Sequence, residues 1–210
     1  QAGYQLFLTG EMGIGNTTTS SAVAAALLSC EAAEITGRGA GLDDEKLAKK
    51  ICVIEQAFEQ YGLKNNGTKG SQTKFSVPVE RKCEFAFHAL RTVGGLDLAG
   101  LAGVCIGGAL YHVPVVLDGV ISLTAALIAE RLVPGTKQYL IASHIGKEPA
   151  VRKLLDELEL DAVIDARMAL GEGTGAVMMV GLLDMALRVY QSSSTFSDMK
   201  IEQYERYQKR

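Results

Sequence analysis

Glycine-rich turns bearing a carboxylate occur twice in this chain, at GEMGIGNTT (residues 10–18) and at LGEGTGA (170–176). The first follows an apolar run, 4–9, and precedes a small-residue helical pattern. It therefore reads as a strand-to-helix turn whose backbone N–H groups converge at a helix N-terminus, where unsatisfied donors and the macrodipole favour an anion. Its spacing lies one residue from an ATP-binding P-loop, with Asn16 where the phosphate-clamping lysine would stand. A neutral amide cannot replace that charge over a triphosphate, whereas one phosphate needs far less. The turn is thus expected to hold a nucleoside monophosphate or sugar phosphate. Thr17 and Thr18 can cap the helix or hold a phosphate oxygen, and Lys50 or Arg38 can bring the missing cation. A turn that only packs tightly is the alternative.

In the second turn Glu172 stands between Gly171 and Gly173, just ahead of a helix. With Leu170 and Met168 beside it, the carboxylate is expected to be partly desolvated and its pKa raised toward that of a general base. A solvated cap residue is the other reading. Glu11 is a carboxylate beside an anion site, which is awkward unless it faces another part of the substrate. VPVVLDG ends an apolar strand in Asp118-Gly119, at the sheet edge where open α/β folds bind ligands, and suits Asp118 to a ribose hydroxyl. TGRGAGLDD (36–44) is a further glycine-rich loop opening a helix, from which Arg38 could reach an anion. His144 reads as a hydrogen-bonded structural residue, because no Ser-His-Asp order or oxyanion motif accompanies it.

Short, nearly all-apolar runs at 4–9, 113–117 and 139–142, with a weaker one at 162–165, read as strands covered on both faces. They alternate with helical patterns beginning at 17 or 18 and ending near 29, and at 43–61, 95–111, 123–131, 148–158 and 175–190. Such alternation predicts a Rossmann-like parallel sheet flanked by helices, in the α/β class. The polar stretch 62–78 reads as a loop or hinge. Composition shifts abruptly near residue 190, so 1–190 is expected to form the nucleotide-binding catalytic domain. The segment 191–210 is expected to pack on a small helical subdomain or on a partner. Residues of hydrophobic type make up 48% of the 210, aromatics 6%, with no Trp and 23 Gly, so the core must be built largely from Ala, Val, Leu and Ile.

A net charge of −3 and the lack of any basic block with interleaved aromatics argue against a nucleic-acid partner. The apolar runs break before they reach a membrane span. Cys30, Cys52, Cys83 and Cys105 lack any Cys-x-x-Cys pairing and fall in apolar patterns, which suits buried reduced thiols in the cytoplasm and no metal site.

Taken together, GEMGIGNTT, GRGAGLDD, GGLDLAGLAG, VPVVLDG, SH and LGEGTGA resemble, in order and spacing, the nicotinate-nucleotide:dimethylbenzimidazole phosphoribosyltransferases, over about residues 6–187. The resemblance implies transfer of the phosphoribosyl group of nicotinate mononucleotide to 5,6-dimethylbenzimidazole, in cobalamin lower-ligand synthesis, without a cofactor or metal and in a homodimer. It implies Glu172 as the general base and Glu11 as a second carboxylate at the reacting centre. Gly13, Ile14, Gly15, Asn16 and Thr17 would line the phosphate and ribose, with Lys50 as the cation. Asp118 and Gly119 would border the nucleotide and Leu170 the aromatic base, with Gly171 and Gly173, on either side of Glu172, also among the substrate-binding residues. Departures are Gly146 where the family usually has serine, the KEPA sequence after it, and Ala40 within the GRGAG loop. Family members carry a longer N-terminal part with a wall of the benzimidazole pocket, so a truncated enzyme is expected. A mononucleotide-binding module without turnover is the alternative, and an ATP-dependent P-loop enzyme ranks below both.

Overall fold

A computed structural model describes residues 3–39, 41–63, 81–195 and 197–200. The chain begins with β1 (Phe7–Leu8), then α1 (Asn16–Leu28), α2 (Ala32–Ile35), α3 (Asp44–Tyr61), α4 (Lys82–Val93) and α5 (Leu96–Leu110). There follow β2 (Val115–Leu117), α6 (Val120–Leu132), a 3-10 turn (Thr136–Tyr139), β3 (Leu140–Ala142), α7 (Ala150–Leu158) and α8 (Thr174–Ser192). The strands form a parallel sheet in the order β1-β2-β3, with Phe7 beside Val115 and Val116 beside Ile141. The run expected as a fourth strand contributes one parallel bridge, Ile164 to His144.

The parallel sheet flanked by helices is the expected architecture, and its details follow from the side chains. β2 is buried along its whole length, as a central parallel strand requires, but β1 lies at the edge with Phe7 and Leu8 both exposed, so cover on both faces does not extend to it. The core lies around α6, which packs against α1, α4, α5 and α7. Ser122 through Ala129 of α6 and Ser20 through Leu27 of α1 are buried without interruption, so these helices have no solvent face. Their many alanines let neighbouring backbones approach closely. α6 starts at Val120, earlier than expected, because Gly119 turns the chain from strand to helix directly after Asp118.

α4 was not among the expected helices. It buries Ala86, Ala89 and Val93, a helical spacing, but its N-cap Arg81 makes no side-chain capping hydrogen bond. The cysteine reading needs correction: Cys105 is buried and Cys30 half-buried, but Cys52 and Cys83 are exposed, on the outer faces of α3 and α4. Burial pushes the Cys105 thiol up to about 12, so it stays protonated. No helix among the described residues is long and apolar enough to cross a membrane.

The chain divides into two compact units, Gln1–Met179 and Val180–Arg210. That division lies within α8, ahead of the composition shift near residue 190. In the second unit the helix runs on to Ser192 and is followed by a turn in which Thr195 N–H donates to the Asp198 carboxylate at 2.8 Å. The expected loop from 64 to 78, Ala40, and the tail from 201 lie outside the described residues.

Candidate active site

Parallel strands present their C-terminal ends on one edge of the sheet, and each of the chemically loaded segments follows such an end. Thr9, directly after β1, is buried; its hydroxyl accepts from the Asp118 backbone N–H at 3.1 Å and donates to the Val116 carbonyl at 3.0 Å. This bond fixes the start of the GEMGIGN turn against the end of β2. Gly10 comes next and lies in backbone contact with the second glycine turn. A Cβ on Gly10 would stand 3.1 Å from Gly173 Cα and 3.3 Å from the Glu172 carbonyl oxygen. The two turns that the spacing singled out thus meet, so closely that a side chain at Gly10 would have to push the second turn back. Gly10→Ala is expected to force backbone against backbone and cost about 1–3 kcal/mol of stability, as overpacking does; urea denaturation measures it.

The turn bearing Glu172 is held from β2. Asp118 is 5% exposed and its carboxylate accepts from three backbone N–H groups: Gly175 at 2.8 Å, Gly173 at 3.1 Å and Ala176 at 3.3 Å. A buried anion at the first turn of α8 satisfies donors that a helix start leaves unpaired and complements the macrodipole. Asp118 stands at the expected sheet edge, where the sequence suits it to a ribose hydroxyl; in this structure both of its oxygens accept from backbone N–H groups. His144 is buried beside it, its Nδ1 3.0 Å from the Ser143 hydroxyl, and its ring lies over Gly175, where a Cβ would come within 1.9 Å of Nδ1. The structural reading of His144 fits this position.

Gly171, Glu172 and Gly173 have φ of 76°, 57° and 85°. Three consecutive left-handed residues make a sharp turn, tolerable for the glycines and costing about 1 kcal/mol at the glutamate. The turn closes with Thr174 N–H on the Gly171 carbonyl at 3.0 Å. It carries Glu172 out into solvent. The expectation of a desolvated carboxylate fails here, because the flanking glycines offer nothing to cover it and Leu170 is itself 71% exposed.

On the first turn, Glu11 folds back over its own loop and accepts from Asn16 Nδ2. A Cβ on Gly13 would come 2.7 Å from Glu11 Oε1, so the glycine makes room for the carboxylate. Burial, then the negative charge of Asp97 at the start of α5, pushes the Glu11 pKa up, against the Asn16 hydrogen bond. Asn16, expected to line the nucleotide, is thereby tied to Glu11. Ile14 is fully exposed, and Gly15 is the N-cap of α1 at φ 91°.

Of the two candidate cations, the structure brings Lys50 to the turn. Its Nζ donates to Thr17 Oγ1 at 3.1 Å and to the Gly37 carbonyl at 3.0 Å, although Lys50 is only 7% exposed. Burial lowers its pKa, and the Glu148 charge partly offsets that. Arg38 instead folds onto the start of α3, donating to Asp44 and to the Leu42 carbonyl. Gly119, with no side chain, starts α6 beside Asp118. Two neighbours escaped the sequence reading: Asp97, whose signal was an acid in a helix first turn, and Glu148, which read as an ordinary helix start. Among the described residues no cluster of three or more His, Cys, Asp or Glu side chains could hold a metal.

Comparison with known proteins bears on this geometry. A family model described as Phosphoribosyltransferase matches residues 1–201. The nicotinate-nucleotide–dimethylbenzimidazole phosphoribosyltransferase of Acetivibrio thermocellus is 40% identical over 203 residues, 97% of this chain and 53% of that protein. Its namesake in Roseiflexus sp. is 43% identical over 197 residues, covering 94% and 51%. The crystal structure of CobT from Thermus thermophilus superposes with a TM-score of 0.80 at 33% identity, over 96% of this chain and 55% of that one. The chain spans about half the length of the curated relatives it matches. A family model matched over nearly the whole chain, joined to relatives this similar, shows that the chain belongs to the phosphoribosyltransferase family those proteins represent.

Proposed function

We propose that the chain transfers the phosphoribosyl group of nicotinate mononucleotide to 5,6-dimethylbenzimidazole, yielding nicotinate and α-ribazole 5′-phosphate. The observation that carries this reading is the backbone contact of the two carboxylate-bearing turns through Gly10 and Gly173, beside a buried lysine at the N-terminus of α1. One phosphate would sit against the amides of Gly15, Asn16 and Thr17, with Lys50 supplying charge. The imine nitrogen of the benzimidazole attacks the anomeric carbon as the bond to nicotinate breaks. The bonding pair stays on the departing ring nitrogen and neutralises its positive charge, so the leaving group needs no proton. Glu172 takes the proton from the second benzimidazole nitrogen, and Glu11 faces the reacting centre. Orientation of the two rings supplies most of the acceleration. Because Glu172 is hydrated before substrate arrives, a bound base pressing on Leu170 must supply its desolvation.

The same reading takes small molecules as substrates, the cytoplasm as the place and a second copy of the chain as the partner. Incubation with both substrates is expected to release nicotinate and form the α-riboside phosphate, followed by chromatography. A second reading, a mononucleotide-binding module without turnover, draws support from the exposure of Glu172, Leu170 and Ile14. Calorimetric binding of nicotinate mononucleotide without nicotinate release would select it; absence of both binding and release would remove both readings.

A further inference from the structure

Glu148 lies two residues ahead of α7, yet its side chain reaches the glycine-rich loop at 37–39. Oε1 accepts from the Gly39 backbone N–H at 3.0 Å. The carboxylate also fills the space beside Gly37, where a Cβ would come 1.7 Å from Oε2 and 2.5 Å from Cδ. The Gly37 carbonyl in turn holds Lys50 Nζ at 3.0 Å, and the ammonium continues to Thr17 Oγ1 at 3.1 Å. The loop also lies close to that same hydroxyl, since a Cβ on Gly39 would stand 2.9 Å from it. One line of contacts therefore runs from the start of α7 through the loop to the lysine of α3 and the first turn of α1.

Lysine has a long stem with many rotamers, and burying its ammonium is unfavourable unless acceptors are fixed around it. A loop of glycines is a poor fixture by itself, because its backbone is freer than that of other residues. A charge-assisted hydrogen bond from the loop amide to a carboxylate removes that freedom, and the negative charge nearby favours the protonated amine. We infer that Glu148 is a positioning residue: by clamping the Gly37–Gly39 loop it holds the Lys50 ammonium at the N-terminus of α1 and so sets the affinity for a phosphate group there. This rests on the function proposed above. It explains why Gly37 has no side chain, since a methyl group at that place would expel the carboxylate.

The test is calorimetric titration of the chain with nicotinate mononucleotide and, separately, with inorganic phosphate. Glu148→Ala is expected to weaken both about tenfold, the loss of one charge-assisted hydrogen bond. Glu148→Gln, which keeps an oxygen for the Gly39 amide, should recover most of the affinity. Gly37→Ala should reproduce the loss by the independent route of displacing the carboxylate, and should cost nothing further when added to Glu148→Ala. In turnover, the variants should raise KM for the mononucleotide and leave KM for the benzimidazole unchanged. Equal binding by wild type and Glu148→Ala, or equal losses in Glu148→Ala and Glu148→Gln, would overturn the inference while leaving the function standing. If the wild-type chain binds neither probe, the lysine seat is no anion site and both fall. Should Glu148→Ala fail to fold, Gly37→Ala against Glu148→Gln gives the same decision.

Discussion

Glu172→Gln is expected to lower phosphoribosyl transfer by about 10²–10⁴-fold, the usual contribution of a positioned general base, with affinity for nicotinate mononucleotide unchanged. The amide fits the turn as the carboxylate does, since Gly171 and Gly173 carry most of its left-handed geometry. It cannot take a proton. Binding should persist because the phosphate is expected at the other turn, beside Lys50. A pre-steady-state assay of nicotinate release, with calorimetry in parallel, separates the two effects. Equal rates for variant and wild type would remove Glu172 from the chemistry. A parallel loss of mononucleotide affinity would instead make it a binding residue.

The elements that place these groups were legible to differing degrees, for physical reasons. β2, β3 and α1 stand out because runs of Val, Leu and Ala have few alternatives; both strands lie within the expected runs, and α1 starts at Asn16, just ahead of the expected Thr17 or Thr18. α4 carried a readable signal, Ala86, Ala89 and Val93, but the N-cap Arg81, which makes no side-chain capping hydrogen bond, and the long polar stretch before it masked the period. Whether Lys50 or Arg38 would serve the first turn could not be told from spacing. Arg38 lies in the GRGAG loop and Lys50 on the helix after it; Arg38 pairs with Asp44 at the start of α3, whereas Lys50 Nζ reaches Thr17. Exposure was the least legible property. Glu172 reads as desolvated by its apolar neighbours, but Leu170 is itself exposed and the adjacent glycines carry no side chain to cover the carboxylate. Cys52 and Cys83 misled similarly, since an apolar pattern does not say which face a helix turns inward. Roles that depend on partners distant in the chain stayed hidden. Glu148 with Gly39 spans 109 positions and Asp118 with Gly175 spans 57, and no local pattern encodes either.

Asp118→Ala is expected to destabilise the fold by about 2–5 kcal/mol, because it leaves backbone donors at the start of α8 without their acceptor. The position is 5% exposed, so water can replace the carboxylate only by entering the cavity that the substitution opens. For a chain of this size the loss corresponds to a fall in Tm of roughly 5–15 °C. Transfer should suffer beyond what lost folded protein accounts for. Gly173 N–H is one of the released donors, and Gly173 is also the point where the two turns touch. Releasing it lets the Glu172 turn drift relative to Glu11 and Lys50, and a displacement of about 1 Å costs on the order of a hundredfold in rate. Asp118→Asn is the informative partner. Its one carbonyl oxygen can still accept from Gly175 and Ala176, but its amide group must face the Gly173 N–H donor to donor. It should therefore fold more stably than the alanine variant while losing a comparable share of turnover. Thermal unfolding of both variants, set beside nicotinate release per folded molecule, reads the two effects apart. If turnover per folded molecule were intact in both, Asp118 would be a cap for α8 and nothing more, and the position of the Glu172 turn would have to be fixed by the stacking of His144 on Gly175 instead.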